Sequence, residues 1–352
     1  MSERIAVGVL GATGMVGQEF VSFLRDHPWF DLTWLGASDR SAGKPYREAT
    51  TWRLGGETPA YVSDIIVSES LPKDGPKGAP KLVFSAMDAS VATEIEQAFA
   101  KAGHVIVSNS RNHRMDADVP LLVPEANASH LGIIPEQQRA RGWSGAIVTN
   151  PNCSTVVLVM ALAPLKQFGI KKVIVTTMQA VSGAGYPGVA SLDILGNVVP
   201  FIGGEEPKME SETQKILGSF AGGKIEALNA KVSASCNRVP VVDGHTICVS
   251  VQFEKKPSEQ EIIAALNGFR GVPQEKKLPS APAQPVIYME QVDRPQPRRD
   301  VERENGMAVF VGRLRKCPVL DYKFVALGHN TVRGAAGAAV LNAELMKVQG
   351  LL

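Results

Sequence analysis

The sequence predicts an α/β protein with two parts: a doubly wound parallel-sheet domain at the N-terminus, then an α+β domain around a mainly antiparallel sheet. Three observations carry this expectation. Short β-branched runs alternate with helix-spaced apolar segments through the first part. Longer β-rich runs dominate after Asn150, and 352 residues suffice for two folding units of ordinary size.

The elements follow in order. Residues 4–10 form an apolar strand ending at Gly11, and residues 15–24 carry apolar positions at helical spacing, the opening of a βαβ unit. Residues 32–37 and 82–86 read as further strands, 91–102 as a helix and 105–108 as another strand. Strands joined through helices imply a parallel sheet covered on both faces. In the second part, 154–168 is a helix, and strands are expected at 172–181, 231–235, 246–253, 307–314 and 322–327. Prolines and charges gather between 271 and 300, which favours an irregular surface excursion. The Ala-rich stretch 334–346 is helical in pattern and is expected to return to the first domain.

Composition narrows the function. An apolar fraction of 44% with 20% charged residues permits a large buried core and excludes a disordered chain. Lys and Arg total 37 against 35 Asp and Glu, with no basic stripe, so neither nucleic acid nor an anionic membrane is the expected partner; a small molecule is. The first residues lack a secretory pattern and no apolar run reaches the roughly 18 residues of a membrane span, so a cytoplasmic location is expected. Four cysteines without a C-x-x-C pair signal neither a disulfide framework nor a metal site.

Two segments carry chemistry. Gly11, Thr13, Gly14, Met15, Val16 and Gly17 lie where a strand feeds a helix, so backbone N–H groups can approach a pyrophosphate at the positive end of that helix. The spacing is G-x-x-G-x-x-G, and a tight turn without a ligand would read the same way. At the end of the second strand, Ser38, Arg40 and Ser41, with Lys44 behind, suit the 2′-phosphate of NADP; Asp39, if turned inward, would admit NAD. Cys153 follows an apolar strand at the start of the next helix, where a thiol loses its proton more readily and becomes a nucleophile. A buried, inert cysteine is the alternative. Cys236, Cys248 and Cys317 lack that setting.

The phosphate loop, the segments 108–115, 119–125, 150–155 and 179–185, and Gly328-His329-Asn330-Thr331 occur in order over nearly the whole chain. Together they resemble aspartate-β-semialdehyde dehydrogenases, in their archaeal and fungal branch. The resemblance implies a Rossmann-like NADP-binding domain over 1–152, completed by a C-terminal helix within 330–352, and a catalytic and dimerisation domain over 153–329. It implies reversible, NADPH-dependent reduction of L-4-aspartyl phosphate to L-aspartate 4-semialdehyde with release of phosphate, through a thioester. That step serves the biosynthesis of lysine, methionine, threonine and isoleucine, in an enzyme that is a homodimer or homotetramer.

The same resemblance assigns roles. Cys153 is the nucleophile, His245 accepts the thiol proton and returns one, Asn152 or neighbouring backbone N–H groups stabilise oxyanion charge, and Gln179 orients substrate. Arg238 grips the substrate carboxylate with its planar fork, Glu205 receives the amine and Lys208 contacts phosphate. Glu206 competes with Glu205, and Arg111 competes with Arg114 for the phosphate. Ser85, Ser182, Gly183 and Asn330 correspond to cofactor contacts. Malonyl-CoA reductase, on the same fold, remains a second reading, and a non-catalytic nucleotide sensor a third. N-acetyl-glutamyl-phosphate reductase is more remote, because its usual Gly-Cys-Tyr is Asn-Cys-Ser here.

Overall fold

Two six-stranded sheets organise the chain in a computed structural model that describes residues 4–70, 75, 76 and 78–352. The first contains β1 (Ile5–Leu10), β2 (Phe30–Ala37), β3 (Ser68–Glu69), β4 (Leu82–Ser85), β5 (Val105–Ser108) and β6 (Ala146–Thr149). Every pairing is parallel and the order is β3-β2-β1-β4-β5-β6. All four residues of β4, β5 and β6 are buried, as strands covered on both faces must be. Helix α1 (Met15–Phe23) follows β1, and α2 (Ala89–Lys101) starts at Asp88, whose carboxylate accepts the Ser90 N–H. The chain changes direction between β1 and β4, so a crevice opens at the carboxyl ends of these two strands.

Helix α3 (Cys153–Leu162) leads out of this sheet and is buried from Ser154 to Leu162, so it lies between layers. It stops at Leu162, short of the expected Phe168; Ala163–Phe168 continues as tighter 3-10 turns because Pro164 has no N–H for the helical ladder. The second sheet comprises β7 (Ile170–Gln179), β8 (Lys231–Arg238), β9 (His245–Phe253), β10 (Val286–Met289), β11 (Val309–Lys316) and β12 (Tyr322–Gly328), ordered β8-β7-β9-β12-β11-β10. Its three inner pairings are antiparallel and its two outer ones parallel. Strand β10 corrects the reading of 271–300 as an irregular excursion: a short apolar run hidden among prolines supplies an edge strand.

One face of this sheet packs Val173, Val175, Ile247 and Val249 against Val157 and Val159 of α3, Met209 of helix α4 (Glu205–Ile216) and Ile262 of helix α5 (Glu259–Gly268). On the other face Lys172, Ile174, Thr176 and Cys248 are exposed. After β12 a π turn over Val332–Ala336 leads into α6 (Gly337–Val348), whose Ala339, Val340, Leu341, Ala343 and Leu345 join the core under the first sheet with Val7, Phe20 and Leu82. Among the described residues no helix is long and apolar enough to cross a membrane.

Candidate active site

Strand β1 ends at Leu10 and is followed by Gly11, whose φ of +72° is a left-handed conformation that an L side chain resists. A Cβ on Gly17 would overlap the Gly11 carbonyl oxygen, so the first turn of α1 closes onto the loop only as glycine. The loop is buttressed from outside: Tyr46 Oη donates to Ala12 O at 2.8 Å, and Gln18 Nε2 donates to Thr13 O at 3.1 Å. Ser38 and Arg40 are exposed at the end of β2, while Asp39 Oδ1 accepts the Arg40 N–H at 2.8 Å. These residues fit a dinucleotide with an extra phosphate, since backbone donors line the turn and a cation stands beside the second strand. Ser85 does not fit the cofactor role given to it. It is fully buried, and its hydroxyl donates to Glu96 Oε1 at 2.6 Å.

At the other end of the crevice a cavity of about 280 Å³ is lined by Met15, Val16, Cys153, Arg114, Ser182 and Asn330, among others. Asn152 caps α3: its Oδ1 accepts the Ser154 and Thr155 N–H groups at 3.0 and 3.1 Å. Its Nδ2 donates to Glu205 Oε1 and its backbone N–H to Glu212 Oε2, both at 2.6 Å. The Asn152 amide carries a second hydrogen, so this contact gives the residue a positioning part beside the expected oxyanion one.

Cys153 is half-buried, and its Sγ lies 3.1 Å from His245 Nε2. Residues 92 apart meet because α3 and β9 both begin at the cavity. Burial, reinforced by Glu205, pushes the thiol up to about 12, although Arg114, Arg238 and the Ser154 N–H pull the other way. The expected easy ionisation at a helix start is thus reversed by burial. Burial, with Arg238 and His329 adding to it, takes His245 down to about 3, so the imidazole is neutral. The ring is oriented from behind: the Ala180 N–H donates to His245 Nδ1 at 3.1 Å.

Arg238 ends β8 opposite Gln179 of β7, is buried, and donates through Nη1 to Ala180 O at 2.8 Å. A Cβ on Gly183 would sit 3.0 Å from both Arg238 Nη1 and His245 Cε1, so the Ser182–Ala184 turn passes directly over both groups. Asn330 fixes that turn, donating to Ser182 Oγ at 2.7 Å and accepting the Gly244 N–H at 2.8 Å. Gln179 is buried, with its Nε2 donating to Thr177 Oγ1 at 3.3 Å.

Helix α4 sorts the competing charges. Glu205 turns toward Asn152 and also accepts from Lys208 Nζ at 3.3 Å, whereas Glu206 accepts the Cys236 N–H of β8. Arg114 lines the cavity and Arg111 is exposed. Two residues that sequence reasoning missed hold Arg114 in place. Glu212 Oε1 accepts from Arg114 Nη1 at 3.0 Å, and buried Lys215 donates to the carbonyls of Arg114, Asp116 and Val119 at 2.7–2.8 Å. Their signal was present in the sequence: Glu205, Lys208, Glu212 and Lys215 recur at helical spacing on one face. Among the described residues no cluster of His, Cys, Asp or Glu is arranged to hold a metal.

Two family models match the chain: the semialdehyde dehydrogenase NAD binding domain over residues 6–134 and the semialdehyde dehydrogenase dimerisation domain over 162–333. Aspartate-semialdehyde dehydrogenase of Archaeoglobus fulgidus is 52% identical over 343 residues, covering 97% of this chain and 98% of the relative. That of Schizosaccharomyces pombe is 49% identical, covering 98% and 99%. The crystal structure of the Candida albicans aspartate semialdehyde dehydrogenase with NADP superposes with a TM-score of 0.92 at 42% identity, covering 99% of this chain and 100% of that one.

Proposed function

The chain belongs to the aspartate-semialdehyde dehydrogenase family, and from that premise we propose that it reduces L-4-aspartyl phosphate to L-aspartate 4-semialdehyde through a thioester on Cys153. The observation that carries this is the 3.1 Å approach of Cys153 Sγ to His245 Nε2 in a cavity that Arg114 also lines. A nucleophile, an oriented imidazole and a fixed cation surround a space where an acyl phosphate can react.

Arg238 holds the substrate carboxylate with the N–H groups not spent on Ala180 O, and Glu205 receives the ammonium on lone pairs left free by Asn152 and Lys208. Arg114 and Lys208 bind the phosphoryl group and stabilise it as it leaves. Gln179 and Asn152 keep the acyl group and the sulfur in register. NADPH, when bound, supplies the hydride that converts the acyl group to the aldehyde. Gly11, Thr13, Gly14, Met15, Val16 and Gly17 cradle its pyrophosphate, Ser38, Arg40 and Ser41 receive the 2′-phosphate, and Ser182, Gly183 and Asn330 border the nicotinamide. Arg40, exposed at the end of β2, supports NADP as the cofactor, and the second carboxylate oxygen of Asp39 admits NAD as well.

The reading divides the chain into a cofactor domain over 1–152, completed by 330–352, and a catalytic and dimerisation domain over 153–329. Two copies join through the uncovered face of the second sheet, around Ile174, Thr176 and Cys248. The enzyme works in the cytoplasm, where thiols stay reduced. The test is NADP reduction with aspartate semialdehyde and phosphate, run beside malonate semialdehyde with CoA and beside NAD. Phosphate-dependent turnover of the first pair supports the proposal; turnover only with malonate semialdehyde and CoA rejects it.

A further inference from the structure

We infer that Arg53, held in place by the ring of Tyr186, is the side-chain cation that meets the pyrophosphate of the dinucleotide, and that the pair forms a clasp across the cofactor crevice. The inference deepens the proposed reaction and rests on it for the identity of the cofactor.

From Gly11 to Gly17 the phosphate loop offers an anion backbone N–H groups and a helix start, but no charged side chain. Beside it lies a second cavity of about 340 Å³, lined by Thr13, Gly14, Gln18, Arg53 and Tyr186 among others, which shares Met15 with the cavity that contains Cys153. The loop thus stands between two adjoining hollows, as a pyrophosphate stands between the two halves of a dinucleotide. Among the described residues Arg53 is the one charged group that lines the second hollow.

The local structure stations this cation beside the loop. Buried Gln18 accepts the Arg53 N–H on Oε1 at 2.7 Å, and its Nε2 donates both to Thr51 O at 3.0 Å and to Thr13 O at 3.1 Å. One amide therefore ties the segment that carries Arg53 to the turn that receives phosphate. The side chain is fixed from across the crevice, where the guanidinium carbon lies 3.4 Å from the centroid of the Tyr186 ring. A guanidinium stacked by its face keeps its N–H groups at the rim, ready for a bidentate anion. Among the described residues the one hydrogen bond of Arg53 is made by its backbone. With 62% of Tyr186 exposed, core packing does not account for the place of its ring. Tyr186 follows Gly185, which lines the Cys153 cavity, in the same turn that passes over Arg238 and His245 at Gly183. Cofactor binding at Arg53 thereby steadies the segment that covers the reacting groups.

The test is direct binding to the full-length protein, by fluorescence titration with NADPH and by its displacement with adenosine 2′-monophosphate, which has the 2′-phosphate and no pyrophosphate. Arg53→Ala is expected to weaken NADPH about 10- to 100-fold, the range of charged hydrogen bonds, and to leave adenosine 2′-monophosphate unchanged. Native-like NADPH affinity would make the stack mere surface, and an equal loss for adenosine 2′-monophosphate would place Arg53 on the 2′-phosphate; either overturns the inference. Tyr186→Leu is expected to weaken NADPH about two- to fivefold in the native background and to add nothing to Arg53→Ala. Tyr186→Phe, which keeps the ring, is expected to bind as the native protein does. The same loss from Tyr186→Leu in both backgrounds overturns the clasp. If the native protein binds no NADPH, the proposed function fails; if it binds and Arg53→Ala binds equally well, this inference fails alone.

Discussion

Arg114 and Glu212, 98 residues apart, form a buried ion pair at 3.0 Å, and the second oxygen of the same carboxylate accepts the Asn152 N–H at 2.6 Å. One side chain of α4 thus fixes both the cation assigned to phosphate and the residue that caps the nucleophile's helix. Glu212→Gln places an amide N–H against one of these two donors. Breaking such a buried pair costs about 3–5 kcal/mol. We expect a lower Tm and a kcat reduced with KM for acyl phosphate raised, read by thermal melting and steady-state kinetics. Native-like values in both would show that the pair is incidental.

Gly17→Ala forces a Cβ against the Gly11 carbonyl oxygen inside the phosphate loop. Overpacking of this kind costs about 1–3 kcal/mol. The expected outcome is a rise of about tenfold in KM for NADPH with less change for the second substrate. Equal effects on both substrates would mean that the loop does not cradle the cofactor.

Arg238→Lys keeps the charge but loses the planar fork. Charged hydrogen bonds contribute about 1.5–3 kcal/mol, so KM for aspartate semialdehyde is expected to rise by about 10- to 100-fold while NADPH binding stays close to native. An unaltered response to aspartate semialdehyde rejects the carboxylate role.

The free enzyme offers a pH test of the buried thiol. Because burial raises Cys153 to about 12, its thiolate fraction grows as pH rises toward that value. Iodoacetamide should therefore alkylate Cys153 about tenfold faster per pH unit between about pH 7 and 9. A plateau below about pH 8 would reveal a thiol ionised at neutrality.

How far the sequence made this architecture legible depends on the range of the interactions concerned. The parallel sheet could be read because its strands are short apolar runs set off by helical spacing, and Cys153 because a strand delivers it to a helix start. Glu205 and Glu206 could not be separated in sequence, since adjacent positions differ only in which way the helix turns them; packing sends one to Asn152 and the other to the Cys236 N–H. Ser85 looked available at a strand end, but its partner Glu96 lies on α2 and becomes a neighbour only through the fold. The thiol's shift was misjudged for the same reason. The helix start is local and visible, whereas the burial that outweighs it comes from segments as distant as Gly334, where a Cβ would stand 2.7 Å from Cys153 Cβ.

The central claim is covalent capture by Cys153, and mass spectrometry of acid-quenched enzyme tests it most directly. With L-4-aspartyl phosphate and no NADPH, the account predicts an aspartyl adduct on the peptide carrying Cys153, its loss on addition of NADPH, and neither adduct nor turnover in Cys153→Ala, which still binds NADPH. Turnover by Cys153→Ala, or an unmodified Cys153 peptide while phosphate is released, would contradict it.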